Sequence, residues 1–339
     1  MKGAGHRARA VVLVAVVGIS VGCATPSPTT PSPPAPSTSS APEPATAVLR
    51  GYIEDITKAT AHRYRLTDDR GNEMDTLKVI AIPEAGGFAG LYHSYRDETF
   101  AVHLATSSDL MDWTWRVRLA NQASMPTIKV ASDGGYVVAW EQEPLNHLKV
   151  AHYRSWDDLR NGTASRSFEV PWRLSTCAEG TPNLYSASST FVDVGFHFYD
   201  GCIVDRQARG STDWTTWTAA RQPVLEGAVR IHGVEGGVGD RDVIDFQGAT
   251  LTMIEAQVVN EDWRTWRVFL HDAATGKAEQ LEFRTHAYST AFTNPTIDEV
   301  EIDGRRALVV TLFVPQEGAA GDEAGQLIYY RILEPVAGP

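Results

Sequence analysis

Three short stretches of one pattern, Pro126-Thr127-Ile128, Pro182-Asn183-Leu184 and Pro295-Thr296-Ile297, recur 56 and then 113 residues apart, the second interval about two steps of the first. Each opens a run rich in residues that favour strands. A period in this range marks propeller blades, because one such sheet cannot bury both faces alone and must stack on its neighbours. A second marker keeps the same step. Ser108-Asp109 to Trp113, Ser155 to Asp157 and Ser211-Asp213 to Trp217 each follow an apolar run, with Asp spacings of 48 and 56. An Asp that shapes a turn and a Trp packed between sheets account for these residues without a ligand.

From Thr76 onward the chain alternates short apolar runs with turns, for example Leu77 to Ile82, Phe100 to Thr106 and Tyr136 to Trp140, and no long stretch keeps a helical period. The expected fold is all-β, a five-bladed β-propeller with innermost strands near Leu77, Thr127, Asn183, Asp242 and Thr296. The segment 48–74, with Gly51-Tyr52-Ile53 and Tyr64-Arg65-Leu66, is expected to supply a strand that closes the ring beside Gln326 to Leu333.

The chain is expected to divide into a leader (1–22), a tether (23–47) and the propeller (48–335). Lys2, Arg7 and Arg9 precede an apolar run from Ala10 to Gly18 that is too short to span a bilayer comfortably. Ser20-Val21-Gly22-Cys23 resembles the lipobox of bacterial lipoproteins, which implies that Cys23 is lipidated and that the protein is exported to the outer face of the bacterial membrane. Ala24 to Ala47 is rich in Pro, Ser and Thr and has too little apolar surface to offset its ordering entropy. Loss of the leader's three basic residues takes the net charge from −12 to −15, a surface unsuited to nucleic acid. In an exported chain the remaining Cys177 and Cys202 read as a disulfide. No motif indicates a metal or cofactor, an axial calcium included, and a monomer is expected.

The repeat resembles the five-bladed propeller glycosidases, the arabinanase and β-xylosidase group together with the invertase and levansucrase group. The residues that carry the resemblance are Glu179-Gly180-Thr181-Pro182, Ser107-Ser108-Asp109-Leu110-Met111-Asp112-Trp113 and Asn294-Pro295-Thr296-Ile297, in a layout covering about 75–335. It implies a carbohydrate ligand in an axial funnel at the start of the innermost strands, and Glu179 as general acid. Asp75, Asp240 and Asp242 are its candidate partners. Arg241 and Asn294 fall at the same end, to which the second strands would bring His93, Glu141, His197 and Glu255; Trp140 is a candidate for stacking on a sugar. Two family features are missing. Thr76-Leu77 stands where the family has Asp-Pro, and Ser124-Met125 where it has a further Asp. Two functions follow as expectations: a cell-surface glycoside hydrolase-like enzyme, or a glycan-binding or scaffold propeller that does not cleave.

Overall fold

The structure, a computed structural model, describes residues 43–334. The leader, Cys23 and the tether up to residue 42 lie outside the described residues.

The described chain is a five-bladed β-propeller of four-stranded antiparallel sheets. Helix α1 (Ala45–Ile53) and strand β1 (Ala61–Arg63) come first. The first blade is β2 (Asp75–Ala81), β3 (Phe88–Arg96), β4 (Thr99–Ser107) and β5 (Thr114–Asn121). The second is β6 (Ala123–Val130), β7 (Tyr136–Gln142), β8 (His147–Tyr153) and, after α2 (Trp156–Arg160), β9 (Arg166–Glu169). The third comprises β10 (Glu179–Ala187), β11 (Val192–Asp200), β12 (Val204–Thr212) and β13 (Trp217–Arg221). Helix α3 (Pro223–Arg230) leads to the fourth: β14 (Val238–Phe246), β15 (Ala249–Gln257), β16 (Trp266–Asp272) and β17 (Lys277–Gln280). The fifth joins β18 (Thr293–Ile302), β19 (Arg305–Val314) and β20 (Gly325–Ile332) to β1, so both ends of the domain share one sheet and close the ring. The five innermost strands are those expected, and they neighbour one another in cyclic order around the axis.

The closing strand is Ala61–Arg63 alone, whereas Gly51-Tyr52-Ile53 belongs to α1, which begins inside the stretch read as tether. Packing explains the helix. Leu49 and Ile53, four residues apart, are fully buried against the fourth and fifth blades, the Tyr329 hydroxyl donates to the Ile53 carbonyl (2.7 Å), and Arg50 pairs with Glu54 on the outer side.

Apolar clusters fill the interfaces between the first and second, second and third, fourth and fifth, and fifth and first blades. The repeated Asp and Trp residues are structural. Asp109 accepts from the amides of Met111 and Asp112 (both 2.9 Å), and Asp213 from those of Thr215 and Thr216. Trp113 and Trp217 are buried over Gly90 and Gly210, where a β-carbon would come within 2.6 and 2.3 Å of the indole rings.

The third and fourth blades meet differently. Arg241, buried, donates to Asn183 Oδ1 (2.9 Å), Gln222 Oε1 (2.6 Å) and the Ala208 carbonyl (2.5 Å), while Gln207 donates to the Val238 and Gly239 carbonyls. Helix α3 covers the outside of this polar contact with Leu225, Ala228 and Val229.

Candidate functional site at the strand-start end of the axis

Each innermost strand begins with a bulge that the register locates: Asp75 pairs with His93 and Lys78 with Leu91, Ser124 with Glu141 and Thr127 with Ala139, and so around the ring. The first bulged residue is left-handed in four blades, Thr76, Met125, Thr181 and Asn294, with φ between 48° and 53°. Left-handed backbone is costly for β-branched Thr, and such strain persists where the surroundings fix it. Here the fixing groups are visible.

His93 Nδ1 accepts the Met125 amide (3.1 Å) and meets Thr76 Oγ1 (2.8 Å). Glu255 accepts the amides of Asp240 (3.0 Å) and Asn294. Glu141 accepts the Asn146 side chain and the Thr181 amide. Second-strand side chains of the first, second and fourth blades thus fasten the start of the next blade. His197 bonds Thr181 Oγ1 (2.6 Å) in its own blade and lies 3.7 Å from Asp205. Asn294 Nδ2 approaches Met125 Sδ (3.8 Å), joining the fifth and second blades, which are not neighbours, and so spanning the axis.

Burial sets the protonation of this ring. It drives His93 down to about 3, so the imidazole is neutral and its Nδ1 free to accept. It drives Glu255 up to about 7, and burial together with the charge of Glu255 pushes Asp240 well above the carboxylate range. Asp240 and Glu255 are therefore an interacting pair of carboxyls that burial shifts toward the protonated form.

Glu179 has a different environment. It is fully buried, and its Oε1 accepts the amides of Arg173 (2.8 Å), Leu174 (2.6 Å) and Ser175 (3.0 Å). The Cys177–Cys202 disulfide and a bond from Ser175 Oγ to the Tyr199 carbonyl (2.8 Å) hold the same loop. Oε2 has no partner among the described residues. The carboxylate organises the loop, and no surface of it meets solvent.

Asp75 lies at the rim of a cavity of about 580 Å³ between the fifth and first blades, whose walls include Glu73, Asp322, Gln316, Arg65 and Gln326. Burial, with the charge of Glu73, raises its carboxyl to about 7. Among the described residues nothing donates a hydrogen bond to it. It is a carboxyl raised toward neutrality on a cavity whose lining mixes polar side chains with apolar ones such as Leu66, Phe313 and Val314.

The remaining expected residues lie elsewhere. Asp242 faces the opposite end of the axis, where it accepts Lys78 Nζ (2.5 Å) and the Ile297 amide (2.9 Å) beside a cavity of about 370 Å³. Arg241 is spent on the third-to-fourth blade contact described above, because its side chain reaches away from the axis to Gln222 and to the Ala208 carbonyl on the third strand of the third blade. Trp140 is packed in the core between the first two blades, since it alternates with Glu141 along β7, and its indole donates to Gln142 Oε1 (3.0 Å). Sequence reasoning missed Lys78. Its signal was present: a lone cation in the buried run Asp75-Thr76-Leu77-Lys78-Val79-Ile80-Ala81 requires a partner. Burial opposes the Lys78 charge, but Asp242 and Asp298 outweigh it and hold the ammonium above its ordinary value.

No protein-family model matches the chain, and no curated protein does. Solved structures do. A glycoside hydrolase superposes with a TM-score of 0.56 at 11% identity, over 86% of this chain and 95% of that one. An exo-1,5-α-L-arabinanase from a bovine ruminal metagenomic library gives 0.53 at 11%, over 80% and 97%. The α-L-arabinofuranosidase of Podospora anserina, solved in complex with cellotriose, gives 0.51 at 11%, over 83% and 97%. This chain shares their fold.

Proposed function

We propose that the protein is a carbohydrate-active, glycoside hydrolase-like propeller that works at the outer face of a bacterial membrane, held there through lipidated Cys23. The reading rests on Asp75, a carboxyl raised to about 7 at the start of the first innermost strand and open to a cavity of about 580 Å³. A carboxyl that keeps its proton near neutrality suits protonation of a glycosidic oxygen, the step a general acid must perform. Glu73 or Asp322, exposed on the same cavity, serves as the carboxylate that activates water or attacks the sugar. Glycoside hydrolases among the structures that share the fold support a saccharide as ligand. The cavity volume lies in the range of small-molecule sites.

The test is a panel of aryl-glycosides and oligosaccharides with the wild-type protein and Asp75→Asn, Glu73→Gln and Asp322→Asn. Turnover lost in Asp75→Asn and in one of the other two supports the assignment; turnover indifferent to Asp75→Asn removes it. Mass spectrometry of the amino-terminal peptide, with Cys23→Ala as control, tests the anchor.

One observation favours binding without cleavage: Glu179, the residue matching the general acid of the resembled family, is closed off by three amides. Calorimetric binding of an oligosaccharide with no turnover under any condition would select this second reading.

A further inference from the structure

A cavity of about 450 Å³ lies between the third and fourth blades, among the ends of β10 and β14 and the starts of β11 and β15, at the opposite end of the strands from Asp75. Its lining is hydroxyl-rich: Tyr185, Ser186, Thr250 and Thr252, with Gln222 and the imidazole of His271. His271 is only 7% exposed, and its Nε2 has no partner among the described residues. A buried polar atom without a partner is unfavourable, and this one belongs to a side chain that lines the cavity, so a ligand hydroxyl there is a candidate for the missing bond. Burial lowers the His271 pKa, so the imidazole meets that ligand uncharged.

The charges on the walls cancel. Arg209 is held by Asp193 through two bonds (2.8 and 2.5 Å) and lies 3.9 Å over one face of Tyr185, leaving the ring edge and hydroxyl for contact. Lys129 and Asp245, the latter accepting Thr250 Oγ1 (2.6 Å), add one lining charge of each sign. Two cations and two anions give no net attraction for a charged ligand, and the few apolar residues, such as Leu225 and Val243, do not suit a hydrophobic one. Neutral ligands dense in hydroxyls fit this lining, and the volume accepts one or two sugar rings.

We infer that this cavity is a second saccharide site, separate from the Asp75 cavity, which binds a neutral mono- or disaccharide without acting on it. The ligand class follows from the lining itself and does not depend on Asp75 being catalytic. The probes are xylobiose, arabinobiose, cellobiose and sucrose, with galacturonate as the charged control, titrated onto the full chain and followed by saturation-transfer NMR. At least one neutral sugar binds wild type and Asp75→Asn alike, and binds at least tenfold more weakly to Thr252→Val and to His271→Phe. Thr252→Val keeps the side-chain volume and tests the site even where His271→Phe fails to fold, as judged by thermal melting. Three outcomes overturn the inference: no neutral sugar binds, binding ignores both cavity variants, or galacturonate binds more tightly than every neutral sugar. Binding lost only in Asp75→Asn places the sugar at the first cavity and also overturns it, while leaving the proposed function intact.

Discussion

Glu179 and Asp75 stand at the same end of the propeller, each opening an innermost strand, and their carboxyls have opposite fates. Glu179 has three amide donors on one oxygen and no exposure. Asp75 is partly exposed on a cavity and has its carboxyl pushed up to about 7. Place in the repeat sets where a carboxyl begins; the donors that reach it decide whether it holds the fold or meets a ligand. Asp242 is the intermediate case, satisfied by one buried ammonium and two amides.

The strongest way to break this comparison is Asp75→Asn. Turnover should fall about 100- to 10,000-fold, the usual worth of a general acid, with a melting temperature near that of wild type. A loss of less than tenfold would return Asp75 to the ordinary surface carboxylates. Lys78→Met comes next in size. It leaves Asp242 buried beside an empty place, and removal of one partner from a buried pair costs about 3–5 kcal/mol. Chemical denaturation should show that loss and a partial recovery in Lys78→Met/Asp242→Leu, and equal stability of the two variants would mean the pair does not pin the axis.

Glu179→Ala sharpens the other side. Three amides, that of Ser175 buried and those of Arg173 and Leu174 partly so, lose their acceptor, for a stability loss of about 2–3 kcal/mol, read as a drop in melting temperature of several degrees, while turnover per folded molecule stays close to wild type. Should turnover vanish with the fold intact, the roles of Glu179 and Asp75 are exchanged, and the loop at 173–175 must open during the reaction.

The fold was legible because its signals are local and repeat. Pro126, Pro182 and Pro295 sit in the bulges at strand starts, and alternation set the strand faces. The repeat also brought His93, Glu141, His197 and Glu255 to the right end. Their roles were not legible, because each depends on an amide of another blade: Met125 for His93, Thr181 for Glu141, Asn294 for Glu255. Trp140 was misread for a simpler reason. It and Glu141 are consecutive on one strand and must face opposite ways, so both cannot meet the axis. Helix α1 was hidden because only the burial of Leu49 and Ile53 against distant blades makes so short a helix stable.

The smallest expected effect is the dependence of stability on pH. Folded, the Asp75 carboxyl keeps its proton up to about pH 7, whereas in the unfolded chain it releases it near 4. Between these values the folded state binds more protons, so the stabilisation is complete below pH 4 and is lost as pH rises through 7. Asp240 and Glu255 are raised in the same direction, so wild type alone cannot isolate Asp75. The difference between wild type and Asp75→Asn can, because the other groups contribute equally to both. Wild type should lose on the order of 1–2 kcal/mol relative to the variant between pH 4 and 8, the partial exposure of Asp75 keeping the figure modest. Urea midpoints at one-unit intervals measure it. A flat difference would mean that Asp75 ionises as an ordinary carboxylate, and the contrast with Glu179 would then rest on accessibility alone.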